Sequence, residues 1–377
     1  MKKMNMYVKK LSLFLLAGAL LAGCGQSGQA NGASSDAAAA GSQSSADARS
    51  SDAAASESAD AEEKSASRDI FAMDTYMTVT AYGEQAEEAV DAAVDEINRL
   101  DALLSTGNSD SEVAKINANH GGSLSEDGAY LMKKSLELYQ LTDGAFDISI
   151  YPVMDLWGFT TQDFAVPSSE DLKEKLALVD ASKIDFDEES GEVSFEQDGM
   201  EIDFGGIAKG YTSDQVTKIF AEYGIESGLI NLGGNVDAYG SKIDGTAWRV
   251  AIQSPDQDGN YIGVLEAADK AVITSGGYER YFEEDGITYH HIIDPSTGYP
   301  ADSGLKSVTI ICDDGTLADG LSTSLFIMGE EKASQFWQEH SDEFDFVLMK
   351  DDGSLVISEG IEDSFTTNLE TKVVREK

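Results

Sequence analysis

The strongest indication of the fold is the stretch SGLINLGGNVDAYG, residues 227–240. Two apolar runs flank Gly233-Gly234, a pattern typical of two strands that meet at a hairpin-like turn. Further strands are predicted at residues 248–255, 263–277, 278–293 and 305–314. Successive strands joined by such turns favour antiparallel pairing over a doubly wound parallel sheet.

Helical periodicity appears around these strands. Apolar residues recur at helical spacing over residues 84–104, 128–141, 318–329 and 331–340, and in a helix that ends at Gly224. Residues 69–83 alternate like one strand, with Met77, Val79 and Ala81 on one face, whereas residues 144–159 are expected to be irregular. Together these patterns predict a mixed α+β domain.

The N-terminus indicates export. Residues 1–23 combine a basic start with an apolar run too short to span a bilayer comfortably, which predicts a signal peptide. The run leads into LAGC, residues 21–24, which resembles the lipobox of bacterial lipoproteins. An uncleaved anchor and an ordinary signal peptide with a chance cysteine are the alternatives. We expect acyl chains on Cys24 to hold an extracytoplasmic protein on a bacterial membrane.

A disordered linker is predicted to follow Cys24 and to extend to residue 67. It consists almost entirely of Ser, Ala, Gly, Asp, Gln and Glu, so it cannot bury enough apolar surface to offset the entropy of ordering. The folded domain is expected over residues 68–370. With Cys24 acylated, Cys312 has no partner for an intrachain disulfide, and its apolar neighbours predict a buried core residue.

The charge of the chain restricts its partners. The formal net charge is −43, which excludes nucleic acid and anionic lipid surfaces as general partners. The same negative field repels a phosphorylated ligand. Any site for such a ligand therefore needs a local cation, and a divalent metal ion is a suitable one.

The first candidate site is IDFGGIAKGY, residues 202–211. Asp203 is expected at the end of a strand, and Gly205-Gly206 permit close approach of a ligand to the main chain. Lys209 is expected at the start of a helix, where free N–H groups attract anions. The alternative is a tight turn with a surface lysine, because the spacing matches neither common phosphate-loop pattern.

The second candidate site is LADGLSTSLF, residues 317–326. If this segment is helical, Asp319 and Thr323 are i and i+4 and lie on one face. A carboxylate and a hydroxyl suit Mg²⁺, which takes oxygen ligands and retains waters and substrate phosphates. The alternative is an Asp that favours the helix dipole and a Thr that faces solvent.

The third candidate site is ITYHHIIDPSTGYP, residues 287–300. Strand alternation places His290 and His291 on opposite faces, and we assign His291 to the site. It could accept a proton from a hydroxyl nucleophile, alone or with Asp294. The alternative is a loop with one surface histidine. The three candidates together would supply anion contact, metal and base for phosphoryl transfer.

A series of segments in the same order resembles the ApbE family of FAD:protein FMN transferases. The resemblance covers residues 70–365 and rests on MDTYMTV, LLSTGNSDSEVAKIN, GAFDISIYPVMDLWGF, DFGGIAKGYTSD, LINLGGNV, WRVAIQSP, HIIDPSTGYP and LADGLSTSLF. It implies a T-fold-like α+β core of antiparallel strands with packed helices and a second lobe.

The resemblance also implies a set of site residues. Asp319, Thr323 and the carbonyl of Gly206 would hold Mg²⁺, and His291 would be the catalytic base, with Asp294 as a possible partner. The implied contacts with FAD are Met73, Ala145, Phe146, Asp147, Asp203, Lys209 and the main chain near Ile293. Many members have an aromatic residue where this chain has Gly107, so the stacking partner of the flavin or adenine is left unassigned, with Tyr76 and Tyr151 as candidates.

The implied reaction transfers FMN from FAD to a threonine hydroxyl of an acceptor flavoprotein and releases AMP. Water in place of threonine would make the same chemistry an FAD pyrophosphatase. The acceptor would be a membrane redox complex or an extracytoplasmic protein with an FMN-binding domain. Two alternatives stay open: a lipoprotein that binds FAD without transferring it, and a structural surface lipoprotein that binds neither FAD nor Mg²⁺.

Overall fold

The computed structural model describes residues 64–256 and 258–377. These residues belong to one compact unit, Asp60–Lys377. The predicted signal peptide, Cys24 and nearly all of the predicted linker lie outside the described residues. Helices predominate in the first half of the described chain and strands in the second, and most paired strands are antiparallel. The prediction of a mixed α+β fold is confirmed.

The elements have the following bounds. The strands are β1 Ser65–Ala72, β2 Thr75–Tyr82, β3 Gly121–Ser123, β4 Ile184–Phe186, β5 Glu192–Phe195, β6 Ser227–Leu232, β7 Asn235–Gly240, β8 Trp248–Gln253, β9 Tyr261–Ala267, β10 Lys270–Gly276, β11 Tyr281–Glu284, β12 Ile287–His290, β13 Leu305–Cys312, β14 Asp345–Lys350, β15 Leu355–Ser358, β16 Phe365–Thr366 and β17 Thr371–Val374. The helices are α1 Ala86–Leu104, α2 Glu112–Asn119, α3 Glu126–Leu141, α4 Tyr151–Leu156, α5 Ser169–Leu176, α6 Ala208–Glu222 and α7 Gly315–Glu339.

Nine of the described strands form the main sheet, in the order β1-β2-β6-β7-β10-β13-β14-β15-β17. Its neighbouring strands are antiparallel except for the edge pair β15 and β17. Residues 227–240 form the hairpin β6–β7, in which Leu232 pairs with Asn235. Gly233 and Gly234 at its tip both have positive φ, a conformation that glycine adopts at little cost. The predicted hairpin is confirmed.

The main sheet is covered on both faces. Helices α1 and α7 pack on one face, with α6 between them. The small sheet β16-β9-β8 covers the other face. Adjacent residues of β10 show this arrangement, because Ile273 joins the helix-side core whereas Val272 joins the core shared with Leu265 of β9. A sheet covered on both faces explains why its strands are rich in consecutive apolar residues.

A further group of elements lies beside these three layers. Strands β3, β5 and β4 form a small antiparallel sheet, and α2 packs on β3. Ile116, Leu131 and Val193 from this part share one core cluster with Ile310 of the main sheet. This part corresponds to the predicted second lobe, and the shared core joins it firmly to the main sheet.

Several local expectations differ from the structure. Residues 263–277 and 278–293, each predicted as one strand, contain parts of β9 and β10 and of β11 and β12, because turns with positive φ at Asp269 and at Asp285-Gly286 divide them. Residues 69–83 form parts of two strands rather than one, because Met73 and Asp74 make a turn with φ of 48° and 59°. The alternation of apolar residues continues across this glycine-free turn and conceals it. Met77, Val79 and Ala81 are buried on one face, as expected. Residues 144–159, expected to be irregular, contain a 3₁₀ turn and α4.

The C-terminal helices agree with the sequence. Gly329, with φ of 77° and ψ of 172°, interrupts α7 between the two helices predicted at residues 318–329 and 331–340. Cys312 is buried in β13, as expected. In the part of the chain that the structure describes, no helix is sufficiently long and apolar to cross a membrane.

Candidate active site

The glycine turn precedes α6 and presents Lys209 in the first turn of that helix. Asp203 lies in a non-regular segment rather than at a strand end. Its Oδ1 accepts a hydrogen bond of 2.8 Å from the N–H of Gly205, which closes the turn. Burial raises the pKa of Asp203, and the nearby charges of Arg280 and Lys209 partly oppose this shift.

Gly206 lies against the ring of Phe146. A Cβ built on Gly206 would stand 3.1 Å from Cε2 of that ring, so a side chain at this position would have to displace the ring. The turn therefore brings together two of the residues predicted to bind metal and FAD. Phe146 itself is buried, and its N–H donates to Oγ1 of Thr142.

Asp319 of α7 lies at the centre of the site and is 3% exposed. Its Oδ2 accepts a hydrogen bond of 2.8 Å from the N–H of Gly210, and its Oδ1 accepts one of 3.0 Å from Nδ2 of Asn235. Nζ of Lys209 stands 3.9 Å from Oδ1. Hydrogen bonds from α6 and β7 thus offset the cost of burying this carboxylate and fix its orientation.

The close approach of α6 and α7 makes this arrangement possible. A Cβ on Gly210 would stand 2.0 Å from the carbonyl oxygen of Gly315. Asp214, one turn further along α6, accepts hydrogen bonds from the N–H groups of Gly315 and Thr316 at the start of α7. Gly210 allows the two helices to approach closely, and Asp214 binds the start of α7. Together they set the distance between α6, which carries Lys209, and α7, which carries Asp319.

Thr323 lies one turn after Asp319 on α7, as the i and i+4 spacing predicts. Its Oγ1 is 3.3 Å from Oγ of Ser275, which is also 2.7 Å from Oγ of Ser322. Ser275 belongs to β10. The end of this strand therefore contacts the face of α7 that carries the predicted metal ligands.

The donors assigned to Mg²⁺ by resemblance fit that ion in chemical type. Asp319, Thr323 and the Gly206 carbonyl are all oxygen donors, and each oxygen of the Asp319 carboxylate accepts only one protein hydrogen bond. Residues 64–256 and 258–377 contain no group of three or more His, Cys, Asp and Glu side chains suited to a metal. Such a metal would therefore need water and substrate phosphate oxygens to complete its ligands.

His291 follows the last residue of β12. Its main-chain N–H donates to the carbonyl oxygen of Arg280 at 3.0 Å, and its Nδ1 lies 3.2 Å from the same oxygen. A carbonyl only accepts hydrogen bonds, so Nδ1 carries the proton and Nε2 keeps a lone pair. Burial and then the charge of Arg280 hold the pKa of His291 well below 6.5. The neutral ring therefore suits a general base.

His290 is separated from His291, as strand alternation predicts. Its Nε2 is 3.1 Å from the carbonyl oxygen of Ala301, and its ring meets Phe326 edge-on with centroids 5.5 Å apart. These are contacts of the interior, whereas the ring of His291 faces Phe159. The two neighbouring histidines therefore have different environments.

Asp294 supports the turn that follows His291. Its Oδ1 accepts hydrogen bonds from the N–H and Oγ of Ser296, at 2.8 and 2.7 Å. Its carbonyl accepts from the N–H groups of Thr297 and Gly298. Within the described residues these contacts stay inside the turn, and they include no contact between the Asp294 carboxylate and His291.

The remaining residues predicted to contact FAD have varied environments. The N–H of Met73 donates to Asp101, and its Sδ lies 3.8 Å from Oγ1 of Thr212 on α6. The Asp147 carboxylate accepts three hydrogen bonds from Ser149 and Ala181, and burial raises its pKa. Ala145 lies in the turn before Phe146, whose N–H is bound by Thr142. Ile293 is buried in an aromatic cluster with Trp157. Both oxygens of the Asp147 carboxylate are therefore engaged, one by Ser149 and the other by Ala181 of a separate 3₁₀ turn.

The family model for ApbE matches residues 73–348. This chain belongs to the ApbE family. A relative from Klebsiella pneumoniae (strain 342) named FAD:protein FMN transferase is 35% identical over 266 residues, which span 70% of this chain and 82% of the relative. A relative of the same name from Treponema pallidum (strain Nichols) is 33% identical over 296 residues, spanning 72% and 81%.

Solved structures of ApbE proteins share the fold. The ApbE protein of Thermotoga maritima aligns with a TM-score of 0.75 and 32% identity, over 80% of this chain and 99% of that chain. The flavin transferase ApbE from Vibrio cholerae aligns with a TM-score of 0.69 and 26% identity, over 82% and 97%. The resemblance to ApbE that the motifs indicate is therefore confirmed, and so is the class of fold.

In this ApbE chain three contacts of the site were missed from the sequence. Asn235 binds Asp319, Ser275 meets Thr323, and Arg280 holds His291. Asn235 opens a strand directly after a glycine pair, within a segment that contributed to the resemblance, but nothing local connects it to α7. For Ser275 the sequence offers no signal, since Thr323 lies on a distant helix. The Asp285-Gly286 turn between β11 and β12 could have indicated that Arg280 and His291 are opposite each other.

Proposed function

We propose that this protein is an FAD:protein FMN transferase that uses Mg²⁺, esterifies FMN to a threonine hydroxyl of an acceptor flavoprotein and releases AMP. The observation that carries the proposal is the buried Asp319, oriented by Gly210 and Asn235, with Lys209 3.9 Å away. This cluster lies in a protein whose curated relatives are named for that activity.

The residues divide into three roles. His291 accepts the proton of the threonine hydroxyl at Nε2, because Nδ1 is bound to the carbonyl of Arg280. Lys209, in the first turn of α6, attracts the pyrophosphate. The expected free N–H groups are not available there, because the N–H groups of Ala208 and Gly210 already donate to Phe204 and Asp319. Asp319, Thr323 and the Gly206 carbonyl would hold Mg²⁺, which supplies positive charge for the phosphate oxygens.

The transfer balances without another reactant. The threonine oxygen bonds to the FMN-side phosphorus, the bond from that phosphorus to the oxygen of AMP breaks, and the threonine proton passes to His291. AMP leaves with the bridging oxygen, and the electrostatic groups of the site stabilise charge on it. Water in place of threonine gives FMN and AMP by the same steps, so we expect slow FAD hydrolysis as a side activity.

The experiment uses purified protein with FAD, Mg²⁺ and a protein that carries an FMN-binding domain with a target threonine. After denaturation, we expect flavin fluorescence on the acceptor band in a gel, and AMP in equal amount. Both should disappear with EDTA and with Asp319→Ala. Bound FAD without transfer or hydrolysis would instead support a binding lipoprotein, and absence of FAD binding would overturn both functions.

The cellular location belongs to the same proposal. The lipobox-like segment ending at Cys24 supports a lipid-anchored protein outside the cytoplasm. The linker would then let the domain reach acceptors at the membrane. Growth with a labelled fatty acid should label the wild-type protein, and Cys24→Ser should remove the label. A Cys24→Ser protein that keeps both label and membrane attachment would contradict the anchor.

A further inference from the structure

The end of β10 and the loop that leads to β11, residues 275–280, join the two halves of the candidate site. At one end Ser275 contacts Thr323 on the predicted metal face of α7. At the other end the carbonyl oxygen of Arg280 binds both the N–H and Nδ1 of His291. The main chain at Arg280 is therefore within hydrogen-bond distance of the predicted base, and its side chain starts beside that base.

The guanidinium of Arg280 has no protein partner among the described residues. Three of the other described arginines form ion pairs, and Arg249 does not: Arg68 pairs with Asp91, Arg99 with Asp127 and Glu96, and Arg375 with Glu362. Arg280 is exposed and makes no such pair. In a chain with a net charge of −43, a guanidinium without a carboxylate partner beside the candidate site is available to an anionic ligand.

The charge of Arg280 nevertheless acts on the site. It lowers the pKa of His291 and opposes the rise in the pKa of Asp203. Lys209 acts on the same two groups. The two cations therefore share one electrostatic neighbourhood, one from the start of α6 and one from the segment before β11.

We propose that Arg280 binds the FMN-side phosphate of FAD, the phosphate that the acceptor hydroxyl attacks. This inference rests on the proposed function and adds a substrate-binding residue to it. A guanidinium can donate two parallel hydrogen bonds to one phosphate, which an ammonium cannot. Its position next to His291 assigns Arg280 to the reacting phosphate. Lys209, which lies beside Asp319, would then attract the pyrophosphate from the proposed metal side.

The test measures FAD affinity directly, by flavin fluorescence titration of the full-length protein with and without Mg²⁺. Arg280→Gln removes the charge and keeps a similar length, and we expect FAD affinity to fall about 10- to 100-fold. Arg280→Lys keeps the charge without the paired donors, and we expect a fall of about 3- to 10-fold. The matched control is Arg249→Gln, because Arg249 is also exposed and also lacks an ion pair among the described residues.

The outcomes separate the inference from the function. FAD affinity of Arg280→Gln within about twofold of wild type overturns the inference, as does an equal loss in Arg249→Gln, which would reflect net charge alone. If circular dichroism shows that Arg280→Gln does not fold, the FAD affinity of Arg280→Lys is the test instead. Wild-type affinity in that variant overturns the inference. Wild-type protein that binds no FAD overturns the proposed function itself.

Discussion

The two sides of the site are built differently. On the proposed metal side, the Asp319 carboxylate accepts hydrogen bonds from α6 and β7, and each of its oxygens is bound by a residue far away in the chain. On the proposed base side, His291 is held by the main-chain carbonyl of Arg280, which precedes β11. The Asp294 carboxylate accepts a hydrogen bond within its own turn. One side depends on packing between elements, and the other on local main-chain geometry.

This difference determines how each side should respond to substitution. A buried carboxylate costs free energy unless its partners are present, so Asp319, Gly210 and Asn235 act as a unit. On the base side, a main-chain carbonyl orients the neutral imidazole of His291. Any residue type at position 280 would supply that carbonyl. We therefore expect the metal side to be intolerant of change, and the base side to depend on His291 far more than on its neighbours.

The largest effect is expected for Asp319→Asn. The substitution keeps the shape of the side chain but removes its charge. The new NH₂ group must also face a donor, because both oxygens of Asp319 accept hydrogen bonds. We therefore expect the rate of FMN transfer to fall about 1,000-fold or more. Asp313→Asn is the matched control. Asp313 lies just before the start of the same helix, and its exposed carboxylate forms an ion pair with Lys270. The measurement is the FMN transfer rate of both variants and the wild type at saturating FAD. Retention of about one tenth of the activity by Asp319→Asn would contradict the metal role.

A slightly smaller effect is expected for His291→Gln. Loss of a general base lowers the rate by about 100- to 1,000-fold, while FAD binding should persist. His290→Gln should change the rate by no more than about threefold, because His290 binds Ala301 and packs on Phe326 away from the site. Single-turnover transfer and FAD titration of both variants make the comparison. Equal losses in the two histidine variants would show that the region acts through stability only.

The pH dependence sharpens the role of His291. Its pKa in the folded protein is lowered well below 6.5, so the neutral base is present at pH 7 and is lost as the pH falls through the folded value. We expect kcat/KM to fall by about tenfold per pH unit below that value. The unfolded chain binds the proton more readily, so this residue also lowers stability as the pH falls below 6.5. A half-maximal rate above pH 7 would contradict this assignment.

The smallest effect is expected for Asp294→Asn. The amide oxygen can accept the same two hydrogen bonds from Ser296, so the turn should survive, with a stability loss of about 1 kcal/mol or less. We expect transfer to change by no more than about threefold. Urea unfolding and transfer rates of the same preparation provide the measurement. A loss as large as that of His291→Gln, with FAD binding intact, would show that Asp294 takes part in proton transfer.

Much of the fold could be predicted from local patterns. The hairpin at residues 227–240, the helix that begins near Lys209 and the break near Gly329 all depend on residues adjacent in sequence. The turn at Met73-Asp74 was missed, because it contains no glycine or proline and interrupts no alternation. Likewise, the turn role of Asp294 was only partly visible: the turn itself was predicted, but the hydrogen bonds that occupy its carboxylate were not.

The sequence by itself determined the α+β class and the family, and it predicted three candidate site segments, because turn residues, helical spacing and motif order are local properties. Only the tertiary structure decided which groups complete the site. Gly210 and Asn235 bind Asp319 across separations of 109 and 84 residues, and Arg280 reaches His291 across the strand pair β11–β12. Such partners depend on strand register and on the distance between α6 and α7, which arise only when the whole core packs.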